Sequence, residues 1–167
     1  MFKSKKLVLV LACLVLGLGI LGCWASRTVL RIYDEKSGKI YVEVPAKEGD
    51  QLFFGWFHSL EKIPWHEYYH IDGHRQLILD KISFPAFGAG IPENKGKECY
   101  VKDGLIYMDK IEQVFPRFIW INSHFATKEI KLNDIHISSG EELPEHTKLI
   151  LIVERKGDKW LKWMKKI

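Results

Sequence analysis

The residues able to do chemistry concentrate in residues 56–92. There Trp56-Phe57-His58-Ser59-Leu60-Glu61-Lys62-Ile63-Pro64-Trp65-His66-Glu67-Tyr68-Tyr69 is followed by the small-residue run Gly88-Ala89-Gly90-Ile91-Pro92. One chemistry on offer is metal-assisted hydrolysis. His66-Glu67-Tyr68-Tyr69-His70 fits the H-E-x-x-H pattern, in which two histidines four apart on a helix share a zinc ion while the glutamate activates water. The segment is rich in aromatic residues and runs into Asp72-Gly73, which leaves barely two helical turns after Pro64. On a strand, His66, Tyr68 and His70 share one face and Glu67, Tyr69 and Ile71 the other, so the ligands part from the base. A third ligand is out of register: Gln76 stands where the extended pattern wants a histidine, and His74 misses it. A second chemistry, nucleophilic catalysis by His58, Ser59 and Glu61, meets a similar obstacle, because adjacent strand residues point to opposite faces. The favoured reading is therefore a non-catalytic cluster that binds or docks something, with no cofactor and no catalytic residue. A zinc-dependent hydrolase using His66, Glu67 and His70 is the alternative.

The elements that must position these residues read as strands. Short β-rich runs divided by turn residues follow one another from Arg27 onward, the pattern of an all-β antiparallel sandwich or barrel-like domain. Residues 29–33 and 40–44 flank Lys36-Ser37-Gly38-Lys39 as a hairpin, and residues 67–71 and 76–84 flank Asp72-Gly73 as another. Residues 51–57, 105–108, 117–121, 128–132 and 135–137 continue the series, and 148–153 is apolar enough for a covered central strand. Pro116 belongs at a strand start or edge. Pro92 to Gly104 reads as a long polar loop. Gly88-Ala89-Gly90 permits either a close backbone approach or a bend.

Lys3, Lys5 and Lys6 precede an apolar run over residues 7–21, a basic n-region and an h-region of the kind that directs export. Residues 1–24 are thus a signal peptide, a lipoprotein leader or a membrane anchor, and residues 27–167 a single β-rich exported domain. Ile20-Leu21-Gly22-Cys23 resembles a lipobox and makes Cys23 the lipidation candidate; an uncleaved anchor is the other reading. Either one holds the domain at the outer face of the cytoplasmic membrane, periplasmic or at the cell surface. The chain carries a formal charge of +4, three of it from the leader lysines. What remains gives no reason to expect a nucleic-acid partner. Cys99 is the domain's one cysteine, expected to be buried and inert, since no intradomain disulfide can form. At the C-terminus Trp160, Trp163, Met164 and Ile167 share a helical face, which suits either a membrane surface or a cap on the open end of the sandwich.

Through Trp56-x-His58-Ser59-x-Glu61-x-x-Pro64-Trp65-x-Glu67-x-Tyr69, then Gly73, then Gly88-Ala89-Gly90 with Pro92, the chain resembles the family termed domain of unknown function 1850. The family pattern often has methionine where this chain has Ile91, and the positions of His66 and His70 vary in it. The resemblance implies a small exported protein encoded beside tripartite transporters that work with a periplasmic binding protein, and hence an accessory role there. The expected partners are the membrane, through the N-terminal segment, and transporter subunits, met through a candidate site at His58, Ser59, Glu61, Trp65, Glu67, Gly88 and Gly90; a small solute held between Trp65 and the Gly88-Ala89-Gly90 loop is a further reading of the same residues. In that site Trp65 and Tyr69 would give contact area while His58, Glu61 and Glu67 give hydrogen bonds.

Overall fold

The structure is a computed structural model that describes residues 16, 26–58, 61–88, 90, 92 and 95–158. The leader with Cys23, the C-terminal face of Trp160 to Ile167, Ser59 and Ala89 lie outside the described residues. Among the described residues no helix is long and apolar enough to cross a membrane.

Among the described residues twelve strands form two antiparallel sheets. β1 (Thr28–Asp34), β2 (Ile40–Pro45), β9 (Phe118–Ile121) and β12 (Lys148–Arg155) make a four-stranded sheet in the order β2-β1-β12-β9. The larger sheet runs β11 (Ile135–Ser138), β10 (Thr127–Leu132), β3 (Gln51–Phe57), β4 (Pro64–Ile71), β5 (Leu77–Phe84), β7 (Leu105–Asp109), β6 (Glu98–Lys102). There β8 (Gln113–Phe115) pairs with the lower half of β5. The alternation of apolar and polar residues along each strand turns Leu30, Ile32, Leu149, Leu151 and Val153 of the small sheet toward Leu52, Phe54, Tyr69, Ile71, Leu79 and Ile130 of the large one. The result is a β-sandwich.

Turn chemistry explains both expected hairpins. Asp34 accepts hydrogen bonds from the Lys36 amide and the Ser37 hydroxyl, at 2.8 and 2.6 Å, and Gly38 takes the left-handed conformation that closes the turn. Asp72 does the same for the β4–β5 hairpin, accepting from the amides of His74 and Gln76. β12 is central, with β1 on one side and β9 on the other, and Pro116 falls between β8 and β9.

Two expectations need correction. The segment from Pro92 to Gly104 is not a polar loop throughout, because Glu98–Lys102 pairs with β7 as an edge strand. Cys99 is exposed on that edge instead of buried. All five residues of β6 are exposed, so no hydrophobic face marks it in the sequence. It is held by backbone pairing to β7 around the Asp103-Gly104 turn.

The connections divide cleanly between the two ends of the sandwich. Thr28 and Arg155 lie paired at one end, where the Ala46 amide donates to the Thr28 carbonyl and the Gly49 amide to the Ile71 carbonyl. The other end carries the β3–β4 turn, the segment after β5, and the 122–126 and 139–147 loops, joined by bonds such as Phe57 amide to Ala126 carbonyl at 2.8 Å.

Candidate functional site

β3 ends at Phe57, and Pro64 starts β4 directly opposite it, so the chain reverses between His58 and Ile63. The turn is closed by the His58 amide on the Ile63 carbonyl and the Lys62 amide on the His58 carbonyl, both at 2.9 Å. His58 holds it further by accepting the Glu61 amide on Nδ1 at 3.4 Å, so its bond within the turn is to the Glu61 backbone. Its ring stacks on Trp56, with centroids 5.7 Å apart.

Gly88 and Gly90 lie against this turn. A Cβ at Gly88 would stand 2.6 Å from the Glu61 carboxyl carbon, so the absence of a side chain is what lets Glu61 lie across the backbone there. A Cβ at Gly90 would come 3.6 Å from the His58 ring. Close approach is therefore the structural use of Gly88, while Gly90, at φ +81°, also makes the bend. His58, Glu61, Gly88 and Gly90 come together at one end of the sandwich.

Trp65 and Glu67 lie just below, on the inward face of β4. Trp65 stacks on Phe84 at 5.0 Å and 11° and is only 7% exposed; Tyr69 is 2% exposed. The contact area expected of these two rings is thus turned into the core. They serve Glu67 instead, whose carboxylate accepts from Trp65 Nε1 at 3.1 Å, from the Tyr69 hydroxyl at 2.5 Å and also from Trp56. Burial pushes the Glu67 carboxyl above the usual range, and the three neutral donors offset that only in part. The Tyr69 phenol is pushed up strongly by its own burial and then by the adjacent carboxylate, so it remains a donor.

A carboxyl whose folded pKa is raised holds its proton where the unfolded chain has lost it, so folding stability falls as pH rises from the unfolded value through the folded one. Glu67→Gln cannot ionise. It is expected to gain on the parent steadily as pH rises from about 4.5, the ordinary glutamate range, toward neutrality. Urea unfolding of both proteins across that range checks this, and a pH-independent difference would show that Glu67 is not raised.

The H-E-x-x-H residues lie on β4, a strand. His66 faces outward beside Ser83 Oγ at 3.3 Å, and His70 faces outward with Asp80 at 2.8 Å, while Glu67 faces the core. The helical face on which that motif depends does not form, and nothing in the geometry favours the hydrolase. Residues that motif reasoning missed stand at the same end as the site. Phe87 and Phe125 are 56% and 59% exposed, Phe125 stacks on Phe57, and Lys62 and Lys128 lie over these rings at 5.0 to 5.6 Å. A loop aromatic has no periodicity to announce it; the only signal was a phenylalanine in a polar turn, Ser123-His124-Phe125.

No curated protein and no solved structure matches the chain. A family model does, over residues 53–138, which is more than half of the chain and spans β3 through β11, including the whole turn-and-glycine cluster. The chain belongs to the family described as domain of unknown function (DUF1850).

Proposed function

We propose that the protein is a non-enzymatic accessory of a tripartite solute transporter, exported and held at the outer face of the cytoplasmic membrane, and that it docks a partner through the cluster of His58, Glu61, Gly88 and Gly90. Trp65 and Glu67 act as the rigid floor beneath that cluster. The observation that carries the reading is the convergence of motif residues far apart in sequence: Glu61 lies on Gly88 and the His58 ring beside Gly90, on top of an aromatic and carboxylate network that fixes them. A site whose positions are locked by packing beneath it suits recognition. The transport setting and the location come from the family resemblance and from the leader. They are part of the proposal on that footing.

The test is capture from cross-linked native membranes by a C-terminal tag, with mass spectrometry of what co-purifies. The parent chain is expected to enrich transporter subunits. A His58→Ala, Glu61→Ala double variant is expected to lose them by about tenfold or more, the effect of removing a central contact worth 1.4 kcal/mol or more. Gly88→Ala should do the same at little cost in stability, because the atoms it displaces are the flexible end of Glu61. Equal capture by parent and variants would sink the docking site. Capture of no partner by the parent would sink the accessory role.

A further inference from the structure

The two ends of the sandwich differ in what they can face. Thr28, at which the described domain follows the leader, lies with Arg155 at the end opposite the site. Both membrane-attachment readings, an uncleaved anchor or a lipid on Cys23, therefore put the bilayer at that end. Six residues separate the apolar run from Thr28. Fully extended they reach about 20 Å. The seven residues of β3 alone span about 23 Å, with the turns still beyond them. A tether this short keeps the Thr28 end nearest the bilayer and favours the orientation in which the site end projects into the aqueous compartment.

That end is not built to be left in water. Phe125 and Phe87 are more than half exposed, and Phe57 and Phe125 stack at 5.9 Å and 22°. Lys128 sits over both rings of that stack, at 5.0 and 5.1 Å, and Lys62 over Phe125 at 5.6 Å. Among the described residues neither lysine has an acidic partner within ion-pair distance. Aromatic anchors rimmed by unpaired cations match a surface of opposite charge. A second copy of the same patch would bring lysine against lysine.

We infer that the patch of Phe57, Lys62, Phe125 and Lys128, beside the glycine-backed turn, docks a water-soluble extracytoplasmic protein through an acidic surface of that protein. The inference rests on the docking function proposed above and narrows it: the partner met at this end is soluble and not embedded in the bilayer. Rings enter apolar pockets of the partner, and the two ammonium groups meet its carboxylates at the rim, where they act mainly on encounter rate and register.

The experiment places a photoreactive benzoyl-phenylalanine at Phe125, and separately at exposed His74 in the β4–β5 turn at the opposite end, in the full-length chain in its native membrane. Adducts are then identified by peptide mapping. The expected result is a Phe125 adduct with a soluble protein, cross-linked within an Asp- and Glu-rich stretch and absent from the His74 position. Lys62→Glu with Lys128→Glu should reduce its yield about tenfold while leaving the thermal midpoint of the isolated protein unchanged. A Phe125 adduct with lipid or with an integral membrane protein overturns the inference, as does an unchanged yield after charge reversal or no adduct at all. The two proposals fail separately. Transporter capture that depends on His58 and Glu61, with a Phe125 adduct only to a membrane-embedded subunit, keeps the accessory role and removes the soluble partner. A charge-dependent soluble adduct without any transporter component does the reverse.

Discussion

Gly140→Ala is expected to destabilise the fold by about 3 kcal/mol, the upper part of the range for overpacking a closed core, and to lower the thermal midpoint by roughly 10 °C. The reason is space. A Cβ at Gly140 would stand 2.4 Å from the Thr127 carbonyl oxygen and 2.7 Å from that of Ser123, and both obstacles are backbone. Neither side can yield. The Ser123 carbonyl accepts the Thr127 amide at 2.9 Å, closing the turn that leads into β10. The Gly140 carbonyl is gripped from the other direction by Nδ2 of fully buried Asn122, at 2.9 Å, which also donates to Leu143 and Pro144. A methyl group there drives a wedge between the β9–β10 and β11–β12 connections and displaces the loop that presents Phe125. Gly38→Ala is the control, since nothing lies within 4 Å of its Cβ and only the left-handed backbone resists, at φ +69°. That costs about 1 kcal/mol. Denaturant unfolding of the two variants should separate them by a factor near three; equal losses would mean that the 122–127 and 139–147 segments give way freely.

How far the fold and the site could be read beforehand follows from where the information lies. The Asp34 and Asp72 turns are local, with an acceptor side chain and its amides two to four residues apart, so both hairpins are legible. Strand parity is local too, and it separates Glu67 from His66 and His70 before any coordinates are known. Burial is not local. Trp65 reads as a contact residue because it stands among the polar groups of the motif, but its pairing opposite Trp56 and its stacking on Phe84 place it inside. Cys99 fails for the opposite reason: an apolar residue is assigned inward by default, yet all five residues of this edge strand are exposed. The contact of Glu61 with Gly88 spans 27 residues of sequence, and the motif names both residues without saying that they touch.

Replacing Arg31 by methionine is expected to cost about 3 kcal/mol or more at pH 7, in the range for removing one partner of a buried ion pair. Arg31 faces outward on β1 yet is only 3% exposed. Its Nε donates to Glu43 at 2.7 Å and one terminal nitrogen to Glu154 at 2.5 Å. The other terminal nitrogen donates to the Lys156 carbonyl at 3.2 Å, so one side chain ties together β2, β1 and the chain beyond β12. Burial pulls the Arg31 pKa down, but its bonds to the two glutamates outweigh that and leave it raised. Burial likewise pushes Glu43 up, and its bonds to Arg31 and Lys156 outweigh it, leaving Glu43 below the usual carboxylate range. Such a depressed group adds stability above the unfolded value near 4.5, and the contribution is lost as pH falls through the lower folded value. Arg31→Met reverses the sign. Glu43 and Glu154 then lose the guanidinium they share, while Lys156 Nζ still reaches Glu43 at 3.1 Å, and the raised cost of ionising Glu43 favours its protonated form. The gap between parent and variant should therefore be largest at neutral pH and close as the solution is acidified below 4.5. Carrying Glu43→Gln and Glu154→Gln on top of Arg31→Met should recover part of the loss at pH 7, because the single variant removes the guanidinium that two neighbouring carboxylates share. Urea titrations at pH 7 and pH 3.5 would decide it. A loss that is the same at both, and that the two glutamine substitutions leave in place, would assign Arg31 a packing role along its aliphatic stem instead of the electrostatic one.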